Sequence, residues 1–204
     1  MTMSNRCVRR AFVASLAFAA TQAVAVVLTF DTLPGANGDP FGGHTEAEGS
    51  EVATVAGDLC VGKFFGNPVP SLFGGTACGS ASGPIEVSHG GGLFSFAAVD
   101  LAANNGAADY SFVGMKLGAM VFSQGGVVTG RFGPYGFDTV LNVDASLIDF
   151  LLILLISLTG FGTSYNIDNI DVTLAAIPEP STYALLALGV AALGIAARRR
   201  PVQA

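Results

Sequence analysis

Between residues 26 and 174 the apolar positions come in short bursts separated by glycine-rich breaks. The bursts are VVLTFD, EVATVAG, CVGKFF, GPIEVSH, GLFSFAAVDLA, YSFVGMKLG, AMVFSQGG, VVTGRFG, FDTVLNV, FLLILLISLTG and SYNIDNIDVTL. None sustains a 3.6-residue period over three turns. Alternation with a period of two marks a half-buried strand. About ten strands at roughly 8–14-residue spacing predict an all-β domain, an antiparallel β-sandwich of jelly-roll-like form. Three stretches stand out. FLLILLISL, residues 150–158, is apolar on both faces and too short for a membrane helix. It predicts a strand covered on both sides, whereas an exposed face would be a contact surface or an aggregation hazard. LPGANGDPFGGH, residues 33–44, holds four glycines and two prolines and predicts a long surface loop. HGGGLFSF, residues 89–96, predicts a tight bend before a strand, and no lysine or helix follows to make a phosphate-binding loop.

The two ends differ from this pattern. Arg6, Arg9 and Arg10 precede an apolar run over residues 11–20, and Ala23-Val24-Ala25 follows. That order is the three-part plan of a signal peptide, with cleavage expected after Ala25 and a cut after Ala23 as second choice. An uncleaved anchor helix is the alternative. At the other end, residues 183–197 carry no charge and Arg198, Arg199 and Arg200 follow at once. Fifteen helical residues span roughly 22 Å, short of a ~30 Å hydrocarbon core. A short transmembrane helix with its arginines on the cytoplasmic side is expected, a buried core helix being the alternative. The expected organisation is therefore a signal peptide over 1–25, an extracytoplasmic domain over 26–176, and a tail over 177–204.

In the tail, Pro178, Glu179 and Pro180 stand before the apolar helix, and Arg198 to Arg200 close it. Motif, helix and basic cluster in this order resemble the PEP-CTERM sorting signal of Gram-negative bacteria. The resemblance covers about the last 27 residues. It implies export by the secretion machinery and a transient stay in the inner membrane. It further implies cutting of the tail by an exosortase and release to the cell surface or the extracellular polysaccharide.

Taking away both ends changes the charge. Residues 26–177 keep three basic residues, Lys63, Lys116 and Arg131, against fourteen acidic ones, a net charge of −11 compared with −6 for the whole chain. Such a domain repels phosphate backbones, so nucleic acid is excluded as a partner. Cys60 and Cys78 form an even pair in an oxidising compartment once Cys7 leaves with the signal. A bridge between them closes a loop of about 18 residues and contributes roughly 3 kcal/mol in the chain-entropy model. Two buried free thiols are the alternative. His44 and His89 offer no close metal-ligand spacing to either cysteine.

The middle domain has a resemblance of its own. LTFDTLPG, GGLFSFAAVDLA and YNIDNIDV are similar to segments of PEP-CTERM ectodomains akin to galactose-binding-like or carbohydrate-binding jelly rolls. The resemblance implies a structural calcium joining the first and last strands, with Asp31 and Asp168 as its carboxylates and Asp171 nearby. Geometry limits that idea. On a regular strand Asn166 and Asp168 share one face while Asn169 and Asp171 share the other, so one ion needs a bulge. The alternative is that Asp168 caps a turn or binds backbone amides. No catalytic constellation stands out. The two histidines are the only bases of their type, and no Gly-x-Ser-x-Gly elbow is present. Tryptophan is absent, leaving Tyr110, Tyr135, Tyr165 or the phenylalanines as sugar-stacking rings. The leading expectation is a non-catalytic surface or matrix protein associated with exopolysaccharide and biofilm. A secreted polysaccharide hydrolase and a ligand-free structural or adhesion protein are the alternatives.

Overall fold

The structure, a computed structural model, describes residues 23–48, 51–75, 78, 82–104, 106–129, 136–157, 164–176 and 180–198. Residues 1–22 of the signal-peptide motif, Pro178, Glu179, Arg199, Arg200 and Tyr135 lie outside them.

Twelve strands form two antiparallel sheets. They are β1 (Val24–Leu28), β2 (His44–Glu48), β3 (Glu51–Gly57), β4 (Cys60–Gly62), β5 (Ser71–Gly75) and β6 (Ser82–Ser88), then β7 (Phe94–Ala103), β8 (Ala107–Lys116), β9 (Ala119–Thr129), β10 (Asp138–Leu141), β11 (Phe150–Ser157) and β12 (Ser164–Leu174). The first sheet runs β10-β7-β12-β5-β4, with β1 also paired to β12. The second runs β2-β3-β6-β11-β8-β9. The long β12 makes this possible. Its first half pairs with β5 (Ser164 opposite Gly75) and its second with β1 (Leu174 opposite Val24), while β7 lines its other side. The pairing begins at Val24. A signal cut after Ala25 would remove the first two residues of β1, and one after Ala23 would leave the strand whole.

The alternation expected of half-buried strands packs the two sheets together. Leu28, Phe94, Phe96, Ile167, Ile170 and Val172 face inward from the first sheet. Val55, Ile85, Val87, Phe112, Leu151, Ile153 and Leu155 meet them from the second. Phe96 and Phe112 cross between sheets edge to face, their centroids 5.1 Å apart. Burying one such side chain contributes about 1.5–3 kcal/mol.

Several local expectations change. FLLILLISL forms β11, but only one of its faces is in the core. Leu151, Ile153 and Leu155 are buried, Phe150, Leu152 and Leu154 are half-buried and Ile156 is exposed. The strand covered on both faces is therefore corrected to a strand with an apolar outer face. The expected loop over 33–44 is a loop as far as Gly43, since His44 opens β2, and it is stitched to β4. Gly38 N–H donates to Val61 O, Val61 N–H to Asp39 O, and Phe41 N–H to Leu59 O. Leu33 and Phe41 sink into the core. The bend after His89 places Gly90 and Gly91 at φ of 45° and 87°, where a side chain would be strained. The two bursts AMVFSQGG and VVTGRFG merge, as far as Thr129, into β9.

The tail forms α1 (Pro180–Arg198). Among the described residues no helix is long and apolar enough to cross a membrane, so the expected transmembrane span is not shown. The nineteen residues open on Pro180, Ser181, Thr182 and Tyr183 and end on Arg198, so the apolar length is only roughly 22 Å.

Candidate functional site

Three places in the fold bear on function: the exit of the tail, the polar interior of β12, and an exposed loop after β4.

The tail leaves a completed domain. The last residue of the core is Leu174, and the next residue is held on both sides. Ala175 N–H donates to Leu93 O at 2.8 Å, and Ala175 O lies 3.1 Å from His89 Nε2. His89 Nδ1 lies 2.8 Å from Val52 O on β3. The ring is 1% exposed, so His89 ties the end of one sheet to the other. Both ring nitrogens of this histidine thus face backbone carbonyls.

In β12 the NIDNID segment does contain the bulge that a shared site would need. The pairing with β7 shifts between Asp168 and Asp171, and Asn169 adopts φ of 43°. The bulge does not gather the four polar side chains at one point. Asn166 belongs to one network. Its Nδ2 donates to Ser71 Oγ at 2.8 Å, its Oδ1 accepts from Asn104 Nδ2 at 2.6 Å, and Ser71 Oγ donates to Phe65 O at 2.8 Å. Asp168 and Asn169 belong to another. Asp168 Oδ2 accepts from Asn67 N–H at 2.6 Å and Oδ1 from Asn169 N–H at 2.9 Å. Asn169 Nδ2 donates to Asp100 Oδ2 at 2.9 Å and to Asn67 O at 2.7 Å, while Thr139 Oγ1 donates to Asp100 Oδ1 at 2.6 Å. Asp171 takes no part in either network.

This second network has an electrostatic cost. Burial pushes the Asp168 carboxyl up to about 6. The two backbone donors pull the other way, and the nearby charges of Asp31 and Asp100 push it up again. Asp171 is raised by burial alone. Both Asp168 oxygens accept amide protons, Asp31 is exposed, and among the described residues no group of three or more His, Cys, Asp or Glu is placed to hold a metal ion. The network instead clamps the loop over 63–70 onto β7 and β12.

That loop carries Phe64, the one large exposed aromatic ring among the described residues, with 72% of its surface open. The tyrosines expected to serve as platforms are used differently. Tyr165 is fully buried and its hydroxyl accepts Gly83 N–H at 2.8 Å. Tyr110 stacks on Phe112 at 4.9 Å. Nothing in CVGKFF distinguishes Phe64 from Phe65, so the sequence gives no sign of which ring is exposed. Near the other end of β4, Cys60 and Cys78 are joined, with sulfurs 2.06 Å apart. They border a shallow cleft of about 340 Å³ lined also by Pro40, Phe41, Asp58 and Leu59. A second cavity of about 350 Å³ adjoins it, with Asp58 and Glu86 as its carboxylates.

Residues 176–200 match the PEP-CTERM protein-sorting motif. No curated protein matches the chain significantly. Among solved structures, a family 29 carbohydrate-binding module is similar at 13% identity, covering 75% of this chain and 90% of the other, with a TM-score of 0.37. The family 11 carbohydrate-binding module of a cellulosomal cellulase from Clostridium thermocellum is similar at 11% identity, covering 78% and 99%, with a TM-score of 0.37. TM-scores of this size are too low to transfer a ligand or a binding face.

Proposed function

We propose that this is an exported, exosortase-processed protein of the cell surface or extracellular matrix, and that its β-sandwich is a non-catalytic module associated with exopolysaccharide. The observation that carries the reading is the sorting motif at residues 176–200, attached to a domain whose core ends at Leu174. Among the described residues the core holds none from the tail, and such a tail can hold the chain at the inner membrane and then be cut away without unfolding what remains. The expected boundaries follow: 1–25 removed on export, 26–176 kept outside, and 177–204 spent in sorting.

The non-catalytic part is supported by how the reactive-looking groups are occupied. His89 is held by two carbonyls, and the carboxyl of Asp168 is held by two amides. For polysaccharide, Phe64 is the ring best placed to lie against a sugar face, since it is exposed on a loop that Asp168 and Asn169 clamp.

The test is binding of the protein recovered from outside the expressing cell to a polysaccharide array, with calcium and then with EDTA. Binding that survives EDTA and is lost in Phe64→Ala is expected. Absence of binding under both conditions would remove the polysaccharide from the reading and leave the sorting of the tail. Release of sugar from the array would contradict the non-catalytic assignment.

A further inference from the structure

We propose that the corner of the sandwich at the β8–β9 turn rests on the surface of the lipid bilayer that holds the tail, with Leu117 and Met120 as its contacts. This builds on the reading that the tail holds the chain at the inner membrane before it is cut.

The turn departs from the rule for its kind. β8 ends at Lys116 and β9 begins at Ala119, so Leu117 and Gly118 form a two-residue hairpin loop. Both have positive φ, 52° and 78°. Such a loop favours Asn-Gly or Asp-Gly, because a bulky side chain at the first position is strained there. Leu117 adds nothing to the core in return, since it is 90% exposed. Its amide donates to Asp149 Oδ2 at 2.7 Å, so the side chain is displayed on a fixed backbone. Met120, just inside β9, is 68% exposed, and Leu147, two residues before Asp149, is 44% exposed. A strained apolar tip that folding does not use points to a contact outside the domain.

Backbone pairing puts this tip at the end of the sandwich from which the tail leaves. Ala175 N–H donates to Leu93 O, Leu174 stands opposite Phe94, and Phe94 exchanges hydrogen bonds with Ile148. Asp149 N–H then donates to Met115 O on β8. Val24, the first residue of β1, stands opposite Leu174 at the same end. Ala175 and Pro180, the first residue of α1, are five positions apart and can be separated by at most roughly 18 Å. A tail held in a bilayer therefore keeps this end of the domain close to the lipid surface.

Charge and apolar exposure decide which corner of that end faces the lipid. The β2–β3 corner carries Glu48 opposite Glu51. The β8–β9 corner carries Lys116 with Asp149, whose carboxylate is engaged by the Leu117 amide, and Asp144 lies further along the same loop. Anionic headgroups repel the first corner more than the second, and the second carries the more exposed apolar side chains. Two such side chains hold a free domain on a bilayer only weakly. A short tether makes their contact intramolecular, so it forms while the tail is in place and is lost when the tail is cut.

The test is methyl nuclear magnetic resonance on the chain with its tail, in bilayer discs of phosphatidylethanolamine and phosphatidylglycerol with a nitroxide high on one acyl chain. Loss of the Leu117 and Met120 methyl signals is expected, while Val52, 38% exposed at the β2–β3 corner of the same end, keeps its signal. Leu117→Asn suits the turn better, so its Tm should match or exceed the parent's, and it should restore the Met120 signal. A disc-bound chain that loses Val52 as fully as Met120 would overturn the proposal and leave the hold of the tail standing. A Met120 signal unmoved by Leu117→Asn would do the same. A chain that fails to join the discs would overturn the hold and, with it, this contact. Shifts of Leu117 and Met120 with protein concentration in the absence of lipid would assign the corner to a second copy and overturn the proposal too.

Discussion

β11 and β12 occupy equivalent interior places in their two sheets, and they are built in opposite ways. β12 hides Asn166 and Asp168 at no exposure, yet nearly every polar atom it buries has a partner. β11 has only a terminal serine among its eight residues and leaves half of its apolar side chains facing outward. Polarity therefore does not decide what is buried here. A buried polar strand is tolerated when its hydrogen bonds are complete, and an apolar strand still has two faces, of which the core covers one.

The largest expected effect separates the two faces of β11. Ile153→Ala should cost about 3 kcal/mol or more of stability, because Ile153 is fully buried among inward side chains. Leu152→Thr, one residue away on the outer face, should cost under about 1 kcal/mol. Chemical denaturation of both variants makes the comparison, and equal losses would mean that the outer face is packed after all.

For β12 the sharpest handle is pH. The Asp168 carboxyl is raised to about 6 in the folded protein, above its ordinary value. The folded state therefore holds this proton more tightly than the unfolded chain. The stabilisation linked to it is complete below the unfolded pKa of about 4 and is lost as pH rises through about 6, an effect of the order of 3 kcal/mol at most. Asp168→Asn, whose amide stands in for the protonated carboxyl, should come closest to the parent in stability at pH 4. It should also flatten the fall in Tm between pH 4 and pH 7. An unchanged slope would place the pH dependence elsewhere.

A smaller effect is expected at the tyrosine beside this network. Tyr165→Phe keeps the packing but leaves Gly83 N–H without its acceptor, which should lower stability by about 1–2 kcal/mol. Denaturant midpoints measure it, and no change would mean that Gly83 finds water.

The sequence made the sandwich legible wherever alternation was strong, as in the segments that became β7, β8 and β12. It hid β2 and β5. HTEAE has no apolar alternation, and SLFGG is short and ends in glycine, so both strands exist because of neighbours that pair with them. β9 looked like two strands because Gly125 and Gly126 imitate a break, although both pair across to β8. The tail was the most legible part, since a proline-flanked acid, an apolar run and arginines are local signals. The polar site was half legible. NIDNID showed that a bulge was needed, and the bulge is there at Asn169. Its partners Asn67, Asp100, Asn104 and Ser71 lie far away in sequence, and no local pattern could place them.

The proposed function has the tail cut from a domain whose core, among the described residues, ends at Leu174. Intact-mass spectrometry of the protein recovered from the cell surface and the medium tests this directly. The expected mass lacks the segment through Arg198, Arg199 and Arg200 at one end and the signal peptide at the other. A mature extracellular protein that still carries its arginines would contradict it.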